Sequence, residues 1–500
     1  MSIFSFYLAG IIIFIGSIYL RSVARLINRN FGIDTWYYLL YAEDLRQHKR
    51  LPASIPFYLL DKDKQFYPPG FPIFLSLFPK ELLLRYHWLI NPFIDSLQAL
   101  LLYVFTFSVT SDLTISIFAV SLYVFSPILI TQSSNLNSRM FGSLLLTVIL
   151  LSGYGFITTN NIWLFVICVL FGIILSFSHK MTMQQLIFLV IGFCIAKLDF
   201  IYFFIFAVVL FFNFILGRKF YLNILRAHVE IVKFWSRNLP FLGAHQVYDS
   251  VLYKKSLKAN GMKCVKGLRG SRLYFNLEKV IIVSAFLVVI LLFLISRHSS
   301  LKGVEMMFYW AFINYFTIFS TSFLPGLKNL GEGHKYLSYG VFPLSFLLAY
   351  GIFSNLSYAT ALIFLSVFVL ANVFVSVYII KVQSKNTLAS VDNNLVLIFD
   401  TIKKMKKDNI MCLPFSKADA VAYFTRKKVL FGGHSLGWER LGDFWPVLKK
   451  SVEFFIEEYN ISCILIDDRY VKLDDLQLKI SFKTIEKKGN YQLIEIGGCK

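Results

Sequence analysis

An acidic residue followed by an aromatic segment is the first feature of this sequence that could support chemistry. Asp34 directly precedes Thr35-Trp-Tyr-Tyr-Leu-Leu-Tyr41, and further along the chain reads Tyr67-Pro-Pro-Gly70. A carboxylate at a membrane surface can act as a general base on a hydroxyl group or hold a divalent cation that neutralises a phosphate. Asp is also a preferred helix N-cap, and two prolines with a glycine form a rigid turn. A structural role therefore stays open for both segments.

The composition predicts that the elements positioning these residues are membrane helices. Of the 500 residues, 57% are hydrophobic, above the roughly 45–50% of soluble domains. A spanning helix needs about 20 apolar residues, and we predict a polytopic α-helical protein with about 11 such segments. They lie near 3–20, 88–109, 114–131, 140–158, 162–178, 183–197, 200–216, 279–296, 304–323, 336–353 and 358–380. The first lacks a basic start and a cleavage site, so we expect a retained anchor.

The polar parts of the chain predict two domains and one functional face. Residues 1–380 are expected to form the transmembrane domain, and 381–500, with strand-like runs at 463–467 and 491–496, a small soluble α/β domain. Alternation of eleven helices places the aromatic loop 21–87, the basic loop 217–278 and the C-terminal domain on one side of the membrane. Polar groups gathered at one surface favour an enzyme over a carrier, which needs them near the bilayer midplane.

Further candidate residues fall on this same face. Glu43 is a second acid in the aromatic segment after Asp34. Arg139 directly precedes the apolar segment 140–158, and His179 and Lys180 directly follow the segment 162–178. The run Gly331-Glu-Gly-His-Lys-Tyr336 leads into the segment 336–353. Cations near helix N-termini favour anions such as a phosphate. Each of these residues also fits a packed or solvated structural role.

Other motifs point away from several classes of site. Gly432-Gly-His434-Ser-Leu-Gly437 has neither a Walker lysine nor Gly-x-Ser-x-Gly spacing, so it predicts a turn. The six cysteines include no CxxC pair, which argues against a metal cluster, while a Cys412–Cys463 bridge stays open. The net charge of +21 fits loops facing anionic lipid. No recognition motif indicates a nucleic-acid partner.

Asp34 with its aromatic segment and Tyr67-Pro-Pro-Gly70 resembles the first external loop of GT-C-fold glycosyltransferases. These polytopic enzymes take a sugar from a polyprenyl-phosphate carrier. They include dolichyl-phosphate-mannose-dependent transferases, lipid A aminoarabinose transferases and RgtA/B/C/D-like proteins. Asn137-Ser-Arg139-Met-Phe-Gly142, Ser178-His-Lys-Met-Thr182 and Gly331–Tyr336 resemble further segments of the family.

The resemblance implies an inverting transferase that moves a sugar from a polyprenyl-phosphate donor to a lipid-linked or cell-surface glycan or protein. It implies contact with membrane lipids, no nucleic-acid partner and no certain cofactor, with a divalent cation (Mg or Mn) at Asp34 as an option. The implied site has catalytic residues Asp34, Glu43 and His179, donor-phosphate ligands Arg139, Lys180, His334 and Lys335, and substrate-lining residues Tyr38, Tyr67 and Glu332.

Two departures from the family pattern keep alternatives open. Many members have a consecutive acidic pair, where this chain has Thr35 after Asp34, and some have a His one turn later, where it has Tyr38. A metal role is therefore in doubt, and a non-catalytic scaffold for envelope assembly stays open. A transporter or flippase of a lipid-linked glycan is the alternative from another class.

Two arguments give opposite orientations for the functional face. Lys and Arg are concentrated in its loops, and Arg21, Arg25 and Arg29 follow the first apolar segment. The positive-inside rule would place this face in the cytoplasm. The resemblance implies a periplasmic or extracellular face, because the matching loop of the family is external. We follow the resemblance.

Overall fold

The computed structural model of the protein describes residues 3–52, 55–61, 67–197, 200–250, 252, 302–385, 390–434 and 437–497. These residues fall into two compact units. The first contains the described residues of 3–29, 84–222 and 302–385, and the second those of 30–83, 223–252 and 390–497. The predicted apolar segment 279–296 and the end of the basic loop 217–278 lie outside the described residues.

Apolar helices dominate the chain, and a small sheet follows near its C-terminal end. The helices are α1 (Ile3–Ile27), α2 (Thr35–His48), α3 (Gly70–Ser76), α4 (Lys80–Thr110), α5 (Leu113–Val124), α6 (Pro127–Ser133), α7 (Ser138–Thr159), α8 (Ile162–Ser176), α9 (Lys180–Lys197), α10 (Ile201–Asn238), α11 (Lys302–Phe323), α12 (Leu337–Asn355), α13 (Tyr358–Ser384), α14 (Asn393–Lys404), α15 (Ala418–Thr425), α16 (Trp438–Phe444) and α17 (Val452–Tyr459). The strands are β1 (Asn409–Leu413), β2 (Lys428–Val429), β3 (Cys463–Asp467), β4 (Phe482–Lys488) and β5 (Tyr491–Ile496).

Within the described residues, six helices are long and apolar enough to cross a membrane. They are Phe4–Ile27, Lys80–Thr110, Ser138–Thr159, Ile201–Phe241, Gly333–Asn355 and Tyr358–Ser384. The prediction of a multi-helix membrane fold with a small C-terminal sheet is confirmed, whereas the count of about 11 spans is not. One reason is length: α8 has 15 residues and reaches about 23 Å at 1.5 Å per residue, short of a hydrocarbon layer of about 30 Å.

The predicted span 114–131 is a bent pair of helices instead of one straight helix. α5 and α6 meet at an angle of 56°. Pro127 is the first residue of α6, and a proline there has no N–H to continue the hydrogen bonds of α5. Counting this pair as one span gives up to seven candidate spans among the described residues.

A buried ion pair lies inside the first unit. The Arg21 guanidinium and the Asp95 carboxylate are both fully buried, and Arg21 Nε donates a hydrogen bond to Asp95. The Tyr123 hydroxyl donates to the same carboxylate at 2.7 Å. Arg25 is also buried and donates to the carbonyl of Ser134 at 2.9 Å. Both arginines belong to α1, so the loop expected to begin at residue 21 begins after Ile27.

The second unit is built on a five-stranded sheet of order β2-β1-β3-β5-β4. β1 is parallel to β2 and β3, while β5 is antiparallel to β3 and β4. The predicted strands 463–467 and 491–496 coincide with β3 and β5. The core of this sheet also includes Leu60 from the first loop and Phe234 from α10. Segments distant in the sequence therefore complete one hydrophobic core.

The Cys412–Cys463 bridge that the sequence left open does not form. Both thiols are free and buried. In the register of β1 and β3, Cys412 lies opposite Leu465 and Cys463 lies opposite Ile410. The two cysteines are therefore on neighbouring strands but are not paired with each other.

Candidate functional site

Asp34 precedes α2 but does not cap it through its side chain. It is the N-cap residue of α2, and its carboxylate makes no capping hydrogen bond. The aromatic helix is present as predicted, but it is enclosed by protein: α3 and α15 pack against it, and Trp36, Tyr37 and Tyr41 are buried. These three aromatic side chains therefore pack inside the protein.

The Asp34 carboxylate faces an imidazole from the C-terminal part of the chain. Asp34 Oδ1 lies 3.4 Å from His434 Nε2. The same nitrogen lies 3.4 Å from the Tyr38 hydroxyl, which is 2.6 Å from the hydroxyl of Tyr67. We call these residues, together with Asp419, the Asp34 cluster. The side chains of Asp34 and His434 are 33% and 25% exposed, so both can meet a molecule from solution.

Aromatic rings hold the imidazole of His434. Its centroid lies 5.3 Å from the rings of Tyr37 and Tyr38 and 4.9 Å from that of Tyr67. The enclosure therefore restricts the orientation of His434.

A buried carboxylate fixes the loop that carries His434. Asp419, in the first turn of α15, accepts hydrogen bonds from the backbone N–H of Gly433 at 2.8 Å and from the Tyr58 hydroxyl at 2.7 Å. Burial raises the pKa of Asp419 to about 6, although these two hydrogen bonds oppose the shift. A Cβ on Gly432 would lie 2.2 Å from Asp419 Oδ1, so the loop approaches Asp419 closely only because this position is glycine.

Sequence reasoning missed His434 and Asp419. The segment from Gly432 does turn as predicted at residues 433–434, but the turn presents a histidine to the candidate base. The glycine pair beside a histidine was the available signal, and it carries no recognised motif. Tyr38 and His434 are 396 positions apart, so spacing along the chain could not relate them.

Glu43 lies outside the Asp34 cluster. It is nine residues further along α2 than Asp34, about 13 Å along a helix axis. Its carboxylate is buried and pairs with Lys80 at 2.6 Å and Arg426 at 2.5 Å. Burial favours the protonated form, but the hydrogen bonds and charges of Lys80 and Arg426 outweigh it and lower the pKa of Glu43. These ion pairs give Glu43 a structural role, and its catalytic role stays a prediction.

A second group of polar residues lies in the first unit, around Glu332. Its carboxylate is 2.9 Å from Lys335 Nζ and 3.4 Å from His334 Nε2. Burial raises the pKa of Glu332, but the charges of Lys335, His334 and Arg139 outweigh it, so the pKa is lowered. His334 and Lys335 belong to the short turn Gly333–Tyr336 that precedes α12.

His179 and its neighbours extend this group. His179 Nδ1 lies 2.9 Å from the Thr182 hydroxyl and 3.3 Å from the Tyr339 hydroxyl. Lys180 begins α9 and is within electrostatic range of Lys335. A Cβ on Gly142 would lie 2.6 Å from Thr182 Oγ1, so this glycine allows α7 to approach His179 and Thr182.

The predicted donor-phosphate residues are thus brought together in one unit. We call Arg139, His179, Lys180, Glu332, His334 and Lys335 the Glu332 cluster. Arg139, which also donates a hydrogen bond to Gln132, is near the start of α7. The cluster has several cations and one carboxylate, and the short Gly333–Tyr336 turn leads directly into α12. A phosphate would be attracted to such a group, which gives the predicted role a physical basis.

Within the described residues, the side chains around Asp34 do not form a complete metal site of their own. Within the described part of the chain, no group of three or more His, Cys, Asp or Glu side chains could hold one. Asp34 has His434 as a close partner, and both carboxylate oxygens of Asp419 already accept hydrogen bonds. Mg prefers oxygen ligands and usually keeps several waters beside one or two carboxylates and substrate phosphates, so the protein side chains alone do not form a complete site.

Solved structures show the fold of the chain. It is similar to the archaeal oligosaccharyltransferase AglB from Archaeoglobus fulgidus, in complex with an inhibitory peptide and a dolichol-phosphate, with a TM-score of 0.54 and 12% identity over 93% of this chain and 70% of that one. It is also similar to a complex of the A. fulgidus enzyme with Zn and sulfate, with a TM-score of 0.52 and 13% identity over 90% of this chain and 68% of that one. Its TM-score to ArnT from Cupriavidus metallidurans, bound to undecaprenyl phosphate, is 0.55, with 11% identity over 97% of both chains.

These likenesses confirm the predicted GT-C fold. They extend over 93% and 97% of this chain. No protein-family model matches the sequence, and no curated protein matches it. At 11–13% identity the similarity concerns the fold alone.

Proposed function

We propose that this protein is a membrane glycosyltransferase that moves a sugar from a polyprenyl-phosphate donor to a lipid-linked or cell-surface glycan or protein. One observation carries the proposal. Asp34 is a partly exposed carboxylate that stands before a helix without capping it and faces an imidazole. It does so in a chain with the fold of two enzymes whose structures contain dolichol-phosphate and undecaprenyl phosphate.

Asp34 serves as the general base of this reaction. It takes the proton of the acceptor hydroxyl while the acceptor oxygen forms a bond to the anomeric carbon of the donor sugar. The bond from that carbon to the phosphate oxygen breaks, and the phosphate keeps the electron pair. Attack opposite the leaving group inverts the anomeric centre.

The Glu332 cluster binds the donor phosphate in this proposal. Arg139, Lys180 and Lys335 supply positive charge, and His334 adds a further hydrogen-bond donor when protonated. Glu332 holds Lys335 at 2.9 Å and lies 3.4 Å from His334 in the free protein. A phosphate that displaces this carboxylate from Lys335 replaces one ion pair with another.

The finer topology also belongs to the proposal. We assign a periplasmic or extracellular catalytic face to the protein. The burial of Arg21 and Arg25 supports this orientation. Their charges have a structural explanation inside α1, so they carry less weight as loop charges under the positive-inside rule.

The test is transfer by the purified protein in lipid vesicles. Radiolabelled polyprenyl-phosphate sugars are supplied with lipid-linked glycan acceptors, and labelled product is measured for wild type, Asp34→Asn and Asp112→Asn. Asp112 is the matched control, because it is an N-cap whose side chain does accept hydrogen bonds from its helix. We expect Asp34→Asn to lose about 10²-fold or more in rate and Asp112→Asn to keep its activity. Full activity in correctly inserted Asp34→Asn would contradict the assignment, as would a wild type that moves the lipid-linked sugar across the vesicle without transferring it.

A further inference from the structure

A carboxylate that acts as base must lose its proton before the next turnover. In the proposed reaction, Asp34 holds the proton of the acceptor hydroxyl once the new glycosidic bond has formed. A carboxylic acid exposed to water loses it readily, but Asp34 is only one third exposed, and a bound product reduces that exposure. A neighbouring proton acceptor would restore the carboxylate while the site is occupied.

The Asp34 cluster contains one group suited to this step. Imidazole is the side chain that normally gains and loses a proton near neutral pH. His434 Nε2 lies 3.4 Å from Asp34 Oδ1, and the Tyr38 hydroxyl is at the same distance from this nitrogen. Distances of this kind shorten when a substrate closes a site. The other titratable groups near His434 are Tyr37, Tyr67 and Asp419, and the two tyrosines are weak acids.

Asp419 is unsuited to the same step. Its side chain is 1% exposed, and its two oxygens accept hydrogen bonds from Tyr58 and from the Gly433 N–H. These bonds fix the backbone next to His434. Asp419 therefore positions His434, while His434 meets Asp34 directly.

The rings around His434 keep the imidazole beside Asp34. The aromatic centroids of Tyr37, Tyr38 and Tyr67 lie within 5.3 Å of the imidazole centroid. An imidazolium formed there is attracted by the Asp34 carboxylate that it has just regenerated. One quarter of the side chain is exposed, which leaves a path to water for the proton.

We propose that His434 takes over the proton that Asp34 removes from the acceptor, an inference that rests on the proposed function. The proton leaves the acceptor hydroxyl for Asp34 as the new bond to the anomeric carbon forms. It then passes from the carboxylic acid to Nε2, which gives a carboxylate and an imidazolium. The imidazolium releases it to water. Because His434 acts through Asp34, it is a positioning and proton-accepting residue and does not touch the sugar in this scheme.

The test measures kcat and the donor KM against pH for wild type, Asp34→Asn, His434→Ala and His434→Asn in the vesicle assay. His48→Ala is the matched control, since His48 is an exposed histidine on α2. We expect both His434 variants to lose about 10²-fold in kcat with the donor KM within about twofold of wild type. The dependence of kcat on pH should differ from that of wild type in both variants. Added imidazole should restore at least about tenfold in His434→Ala, where the truncated side chain leaves room for it.

The outcomes distinguish failure of the role of His434 from failure of the proposed function. Wild-type kcat in His434→Ala, with Asp34→Asn inactive, overturns the role of His434 and leaves the proposed function standing. Loss of activity with a lowered melting temperature, a changed KM and no rescue by imidazole overturns it in favour of packing. If His434→Ala does not fold, His434→Asn decides, because it keeps a polar side chain in the enclosure but cannot take the proton. Absence of transfer by wild type overturns the proposed function and this inference together.

Discussion

The buried pair of Arg21 and Asp95 makes a stability prediction that can be worked through from its contacts. Both side chains have no exposure, and the Asp95 carboxylate also accepts the Tyr123 hydroxyl at 2.7 Å. Asp95→Asn keeps an oxygen for Tyr123 but removes the charge that balances Arg21. Removing one partner of a buried ion pair costs about 3–5 kcal/mol, so we expect a loss of that size in the free energy of unfolding.

Replacing the whole pair should cost much less than breaking it. Arg21→Met with Asp95→Leu removes both charges, and such replacements are often neutral or stabilising. The Tyr123 hydroxyl then loses its acceptor, which costs about 1–3 kcal/mol for a buried group. Adding Tyr123→Phe removes that cost. The triple variant should therefore return to within about 1 kcal/mol of wild type.

The assay is reversible unfolding in mixed micelles with increasing SDS, followed by tryptophan fluorescence. The free energies of wild type, Asp95→Asn, the double and the triple variant are compared at one lipid composition. Asp112→Asn, a change of the same chemistry at a partly exposed N-cap, is the control and should stay within about 0.5 kcal/mol. A value for Asp95→Asn within 1 kcal/mol of wild type would refute the reasoning, and so would a triple variant as unstable as the single one.

Three further predictions concern the two clusters. Gly142→Ala places a Cβ 2.6 Å from Thr182 Oγ1. We expect this variant to lose about 1–3 kcal/mol in the free energy of unfolding and to have a higher donor KM. Gly16→Ala is the control, because its Cβ meets nothing within 4 Å, and it should change neither the melting temperature nor the KM. The pKa of Asp419 is raised from 3.8 to about 6, so its folded state binds a proton more tightly than the unfolded state and stability is lost as the pH rises through about 6. Relative to wild type, Asp419→Asn should gain up to about 3 kcal/mol between pH 4 and pH 7; a constant difference in melting temperature over this range would show that the carboxyl does not titrate there. The pKa of Glu332 is lowered, so its ion pairs stabilise the protein above the unfolded value of 4.5 and lose that contribution as the pH falls. Wild type should therefore lose more of its melting temperature than Glu332→Gln on acidification from pH 6 to pH 4, and equal losses would argue against the ion pairs.

The fold was largely predictable where length and periodicity decide it. Apolar segments predicted most of the membrane helices, and the strand-like runs at 463–467 and 491–496 predicted β3 and β5. The number of spans was less accessible, because an apolar run of 15 residues such as α8 looks like a span in composition but is short in length. The shared core of Leu60, Phe234 and the sheet was out of reach, since it depends on contacts between distant segments.

Part of the candidate site could be predicted from the sequence, and part could not. Asp34 and the Glu332 cluster were predictable, because local residue types and helix starts mark them. The position of His434 near Asp34 was not predictable, because no local pattern around His434 indicates that contact. The departure from the family pattern at Tyr38 is informative here. In the resemblance to GT-C proteins, some members have a histidine at this position, whereas this chain has a tyrosine. The hydroxyl of Tyr38 lies 3.4 Å from His434 Nε2. A histidine is present near the candidate base, but it comes from a distant part of the chain.

The same contacts change the balance of the orientation argument. Of the three arginines that follow the first apolar segment, Arg21 and Arg25 are buried residues of α1, and Arg21 is paired with Asp95. Arg29 lies beyond the helix, with its guanidinium 5.7 Å from the ring centroid of Trp88. The positive-inside rule draws its force from Lys and Arg in short loops and is weak for long ones, and the basic segment 217–278 is long. Arg21, Arg25, Arg29 and the basic segment 217–278 therefore have either a structural partner or a position where the rule is weak, which lowers their weight as evidence for a cytoplasmic face.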